Sequence, residues 1–325
     1  MGKHYRKETD CLNCGATLQG HYCHNCGQEN LEIHESFGHM MNHAISDYFH
    51  FDHQFIHTIR PLLFKPGFLT NEYMAGRRAK YLHPVKMYIF ISIMYFLIAF
   101  NVRESNGIIR IQENPPPTAA ALEKQKAMIN ADKTIDASTK QAMLARLAEN
   151  DTSYAQYQAN QKKLPADIRD GFWGNLIEKR VYDYKEKYGK GAASKFVEEV
   201  QHNIPKMMFV LLPLFAWQLK IAFSKNKKFY VEHLIFAFHY FCFSLLFLSI
   251  MAIVEAAIPS SWTSVILSVK LVEFLVIVFY FYVALKTVYH RSRFRTITKM
   301  TGVLLLNFAL SLICLGAVVI ITGLI

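Results

Sequence analysis

The chain has 325 residues, 52% of them hydrophobic and 14% aromatic, with a formal net charge of +11. A soluble basic protein carries such charge toward nucleic acid; here it lies beside long apolar runs, which points to a membrane surface instead. The first 30 residues contain no apolar signal core, so a secreted, disulfide-built fold is not expected and the head reads as cytosolic.

That head, residues 1–30, carries Cys11-x2-Cys14-x8-Cys23-x2-Cys26, and glycine follows the second cysteine of each pair (Gly15, Gly27). Two CxxC turns present four thiolates to one tetrahedral ion, and the glycines supply the positive φ such turns need. The spacing predicts a zinc ribbon with one structural Zn²⁺, because a closed four-sulfur site leaves no position open for chemistry. Residues 8–35 hold five acids (Glu8, Asp10, Glu29, Glu32, Glu35) and no Lys or Arg. Nucleic acid is therefore not an expected partner, and a cytosolic protein is.

Residues 31–84 read as an amphipathic, interfacial helical region. Six of the fourteen histidines lie in its first part. At 100° per residue His39, His43, His50, His53 and His57 share an arc of about 80°, with Phe37, Met41, Tyr48, Phe51, Phe55 and Ile59 opposite. The stripe is either the wet face of an interfacial helix or a second metal or pH site. Aromatics and cations then alternate, and Tyr73, Arg77, Arg78, Lys80 and Tyr81 are expected to contact lipid headgroups.

Five apolar segments follow, giving an all-α polytopic membrane protein of about five transmembrane helices. The first is 85–102, opened by Pro84; the other four fall within 207–325. The second of the five, roughly 207–223, is expected to be short, with Pro213 at its middle, and Pro259-Ser260-Ser261 turns the third into the fourth. Basic clusters precede the first span and lie between the second and third and between the fourth and fifth. They place the N-terminus inside, in the cytoplasm, and the C-terminus outside. Residues 103–206 then form an extracytoplasmic helical insertion, with helices expected at 118–130, 138–150, 166–188 and 192–202. It reads as a loose hairpin, and self-association is left open.

Ionisable residues at bilayer depth default to functional hypotheses. Glu232 and His239 are seven apart on the third span, and Lys270 and Glu273 one turn apart on the fourth, so a proton or ion path could use them. The competing expectation is that Lys270 pairs with Glu273 while His239 bonds a backbone or serine partner. Glu255 falls near water and Asn307 two turns into the last span, while Cys242 and Cys314 read as small buried hydrophobes. No HExxH, GxSxG, GxGxxG or Walker loop is present. A non-enzymatic scaffold or sensor with a partner-binding head is the first reading. A small-solute or ion transporter and a membrane-lipid enzyme are the alternatives.

The ordered set of motifs resembles a family, domain-of-unknown-function family 3667. The resemblance rests on the ribbon, Phe51-Asp52-x2-Phe55-x2-Thr58, Pro66-Gly67, and Tyr73-x2-Gly76-Arg77-Arg78-x2-Tyr81-x2-Pro84. It extends to Asn203-x-Pro205, Phe209-x3-Pro213 and Glu232-His233-x2-Phe236-x2-His239. It implies a bacterial, zinc-ribbon-headed polytopic membrane architecture and carries no activity and no catalytic residues.

Overall fold

The computed structural model describes residues 5–30, 52–106, 119–132, 139–140, 144, 153–163, 169–259 and 261–324. Among them the regular secondary structure is helical apart from isolated antiparallel bridges in the head, Asp10 with Thr17 and Tyr22 with Glu29. After the head come α1 (Asp52–Phe64), α2 (Phe68–Met74) and α3 (Pro84–Asn106). Then follow α4 (Ala119–Ala131), α5 (Tyr154–Lys163), α6 (Phe172–Tyr188) and α7 (Ala192–Ala222). The chain closes with α8 (Tyr230–Ala256), α9 (Thr263–Tyr289) and α10 (Arg293–Leu324).

Five of these helices, α3 and α7 to α10, are long and apolar enough to cross a membrane. That marks a membrane protein and matches the five segments read from the sequence. The second candidate span is not short. α7 runs 31 residues through Pro205 and Pro213, joining what the sequence divided into a soluble helix and a span. A proline inside a helix removes one hydrogen bond, and neighbouring helices offset that loss more readily where water is scarce. Pro61 likewise lies inside α1.

The chain divides into two compact units, Met1–Ile108 with Pro205–Cys314, and Ile109–Ile204 with Leu315–Ile325. In the first, α8 is the most enclosed span, and the most apolar stretch of α10 is left uncovered by protein. Aromatic rings fill its core. Phe223 stacks on Tyr289 at 4.0 Å, Phe243 stacks on Tyr280, and Phe215, Phe236 and Phe281 are fully buried beside them.

Residues 62–74 form a plug against α8 and α9, and each tie has a local cause. The carbonyl of Leu62 would ordinarily accept from the residue four on, which is Pro66 and has no N–H; the Tyr280 hydroxyl donates to it instead at 2.6 Å. Asn71 Nδ2 donates to the Thr287 carbonyl, in the last turn of α9, at 3.2 Å. Gly67 begins α2 at φ 80°, and a Cβ there would lie 3.0 Å from the Ala284 carbonyl oxygen and from Thr287 Cβ. Gly67→Ala should therefore destabilise by more than the ~1–2 kcal/mol of the left-handed backbone alone, read as a lowered unfolding midpoint in detergent. An unchanged midpoint would mean that the plug does not seat on α9.

The second unit is built on α5 and α6. Asp170 accepts from the Tyr157 hydroxyl (2.7 Å) and from Gln161 Nε2 (3.0 Å), and Tyr154, Tyr157 and Tyr182 cluster their rings. The hydroxyls of Tyr184 and Tyr188 both donate to Glu199 of α7. The helix expected at 118–130 is α4, the one at 166–188 begins at Phe172, and the one at 138–150 lies almost wholly outside the described residues.

Candidate metal centre

The two knuckles are near copies of each other. Gly15 N–H donates to the Cys11 carbonyl and Gly27 N–H to the Cys23 carbonyl, each at 2.8 Å. Both glycines take the positive φ expected of them, 75° and 73°. Cys11 Sγ lies 3.5 Å from Cys26 Sγ, Cys14 Sγ lies 3.6 Å from Cys23 Sγ, and all four sulfurs fall within 4.8 Å of one another. A tetrahedron of sulfurs about 2.3 Å from a central zinc has edges of about 3.8 Å, so the donor set fits a metal ion. The Ala16 backbone N–H holds the Cys14 thiol down at about 6, while burial pushes the Cys26 thiol up to about 12. Ligation by all four therefore needs the charge of an ion, which deprotonates a coordinating thiol outright.

The head does not stand alone. Gln28, two residues past the last cysteine, donates from Nε2 to the Gly76 carbonyl at 2.8 Å. Its Oε1 accepts from the backbone N–H groups of Arg78 and Ala79, each at 3.1 Å. Gly76 sits at φ 82°, and a Cβ there would lie 2.5 Å from Leu12 Cδ1. The loop is held from α1 as well: Gln54 Nε2 donates to the Ala79 carbonyl (2.7 Å), and the Leu82 N–H donates to Thr58 Oγ1 (2.9 Å). One side chain of the head thus completes the backbone hydrogen bonding of the loop that leads into the first candidate span.

Of the five residues expected at lipid headgroups, two have close protein partners. Tyr73 is buried, and its hydroxyl lies 3.3 Å from His83 Nε2. Arg77 forks onto Glu72, Nε to Oε2 at 2.7 Å and Nη2 to Oε1 at 2.6 Å, and these bonds hold the Glu72 carboxyl below its ordinary range. A bidentate pair leaves little of the guanidinium for a lipid phosphate. Arg78 lies over the Tyr73 ring at 4.7 Å and Lys80 over Tyr81 at 5.7 Å. Of the histidine stripe, His39, His43 and His50 lie outside the described residues. His53 is placed only as backbone of α1, and His57 is exposed on the same helix. Phe55 and Ile59, expected on the apolar face, do pack against the core.

The four polar residues singled out within the apolar segments are not brought to one place. Glu232 caps the start of α8, accepting from the Phe229 N–H (2.6 Å) and from Lys228 Nζ (3.3 Å). His239 is buried with Nδ1 3.0 Å from Thr70 Oγ1, a partner from the plug. Lys270 Nζ bridges two carboxylates, Glu255 at 2.7 Å and Glu273 at 3.1 Å. Sequence reasoning missed Glu255 as a partner, although opposite charges on two helices joined by a tight turn were the available signal. Cys242 is fully buried as expected, whereas Cys314 is only half-buried. Gln218, also missed, is buried in α7 with neither side-chain polar atom bonded among the described residues.

A four-cysteine head able to hold a metal, gripping the approach to the first of five apolar helices, defines a class of membrane protein. Residues 52–96 match the family model described as Protein of unknown function (DUF3667), the family whose motifs the sequence resembles. The matched segment is α1, the plug, the gripped loop and the first half of α3. No curated protein and no solved structure matches the chain.

Proposed function

We propose that the protein is a non-enzymatic scaffold or sensor of the bacterial cytoplasmic membrane. Its cytosolic head is a ribbon folded by one structural Zn²⁺, the commonest ion for a closed four-thiolate site. The observation that carries this reading is Gln28. A head that meets its own membrane-proximal loop through three hydrogen bonds can report its state, or that of a protein bound to it, to the helices. Basic clusters at 77–80, 225–228 and 291–299 favour an N-terminus inside, a C-terminus outside and residues 103–206 beyond the membrane. The scatter of Glu232, His239 and Lys270 among three unrelated contacts supports structural roles for them over a continuous ion path.

Gln28→Ala is the test. It leaves all four ligands in place, so the zinc content should stay at one per chain. Without the Oε1 acceptor, the Arg78 and Ala79 amides should exchange with deuterium about tenfold faster, the consequence of losing ~1–1.5 kcal/mol of hydrogen bonding. Unchanged exchange at these two amides would remove the grip and with it the case for the head as a reporter.

A further inference from the structure

Beside the gripped loop, α1 and the chain around Lys80 enclose a cleft of about 780 Å³. Arg60, Lys65, Lys80 and His57 line it with Phe64, Phe68 and Tyr81, and no carboxylate is among its lining residues. Elsewhere among the described residues several cations do meet carboxylates. Arg77 forks onto Glu72, Lys228 reaches Glu232, and Lys270 reaches two glutamates. In the cleft the ammonium groups are positioned by rings instead: Lys65 lies 5.3 Å from the centroid of Phe68, and Lys80 lies over Tyr81. The two rings meet edge to face at 6.1 Å, which fixes the cations relative to each other. The Lys80 charge is felt by Glu72, but that carboxylate is already forked by Arg77. Three permanent cations around one concavity repel one another and lower the free energy of an entering anion.

The other wall is apolar. Phe64 is 77% exposed at the end of α1, and Tyr81 lies three residues before Pro84 opens the first candidate span. A ligand held here has its charge among the cations and its remainder against an aromatic surface at the start of an apolar helix. We propose that this cleft binds a phosphate-bearing anion, as a guanidinium and two ammoniums bind phosphoryl oxygens. The volume lies within the range of small-ligand sites. The phosphate belongs either to the headgroup of an anionic phospholipid or to a soluble phosphate. This inference does not depend on the ribbon's role.

Native mass spectrometry of the full-length protein in detergent, with its zinc retained, distinguishes these outcomes. Phosphatidylglycerol, phosphatidylcholine and inorganic phosphate are titrated separately. The Arg60→Gln/Lys65→Gln/Lys80→Gln variant should lose affinity for the bound anion about a hundredfold, close to fivefold for each cation at ~1 kcal/mol apiece. A Lys225→Gln/Lys227→Gln/Arg293→Gln variant, equal in charge but outside the cleft, should lose almost none. Preference for phosphatidylglycerol over phosphatidylcholine identifies a lipid source; binding of phosphate without that preference identifies a soluble one. Equal losses in both triple variants would reduce the effect to bulk charge and overturn the proposal, as would no loss in either. Should the first triple variant fail to fold, Lys65→Gln/Lys80→Gln, which leaves α1 intact up to Phe64, is read against Lys225→Gln/Lys227→Gln by the same criteria.

Discussion

Lys270→Met should destabilise the helical bundle by about 3 kcal/mol, and adding Glu255→Gln and Glu273→Gln to it should restore most of that loss. The two carboxylate side chains are 17% and 8% exposed and share a single ammonium. Removing the ammonium leaves two carboxylates facing each other without a cation, which is far more costly than removing the whole charged set together. Position moderates the figure. Lys270 is seven residues into α9, about 10 Å from its start, Glu255 is next to last in α8, and the Lys270 side chain is itself 53% exposed, so the triad lies near the ends of both helices. That exposure limits the penalty, which places it at the lower end of the usual 3–5 kcal/mol. Lys270→Arg should be nearly neutral, since a guanidinium can reach both acids. Thermal unfolding of the four proteins in detergent checks the series. A neutral triple variant that folds but abolishes a measured proton or ion flux would move the triad from structure to transport.

How much of this was legible depends on the range over which each signal acts. The knuckles were fully legible because their chemistry is local: two cysteines, one glycine and one backbone hydrogen bond per turn. The five apolar helices were legible because burial in hydrocarbon demands length and composition, not a particular partner. Gln28 was invisible, since nothing in Cys-Gly-Gln tells that its amide meets a loop about fifty residues later. The continuation of α7 through Pro205 was missed for a related reason. A proline reads as a stop when only the local helix is considered, and tertiary packing reverses the outcome. His239 was expected to bond a backbone or serine partner; the group beside it is the hydroxyl of Thr70, in the plug. The cleft joins Arg60 and Lys65 to Lys80, residues that the sequence presented as one diffuse basic stretch before a span.

Removing the metal should unfold the head and release the loop while leaving the bundle in place. The head's own core is three buried residues, Cys11, Leu18 and Cys23, with Ala16 and Cys26 packed against them. So small a core cannot offset the entropy of ordering some twenty-five residues. Structural zinc sites of this type supply about 10–16 kcal/mol of apparent binding free energy at neutral pH, so chelation, or Cys11→Ser, removes the term on which the head's folding rests. Exchange at the amides of residues 9–30 should then approach that of an unstructured chain. The Arg78 and Ala79 amides should follow, because an unfolded head no longer presents Gln28 to them. The large aromatic core of the spans contains no residue of the head, so the bundle's unfolding midpoint should move by only a few degrees. Returning zinc should restore protection at both places together. Loss of protection in the head with full protection retained at residues 78 and 79 would mean that α1, through Gln54 and Thr58, holds the loop unaided. Retained protection in the metal-free head would mean that the four cysteines are not what folds it.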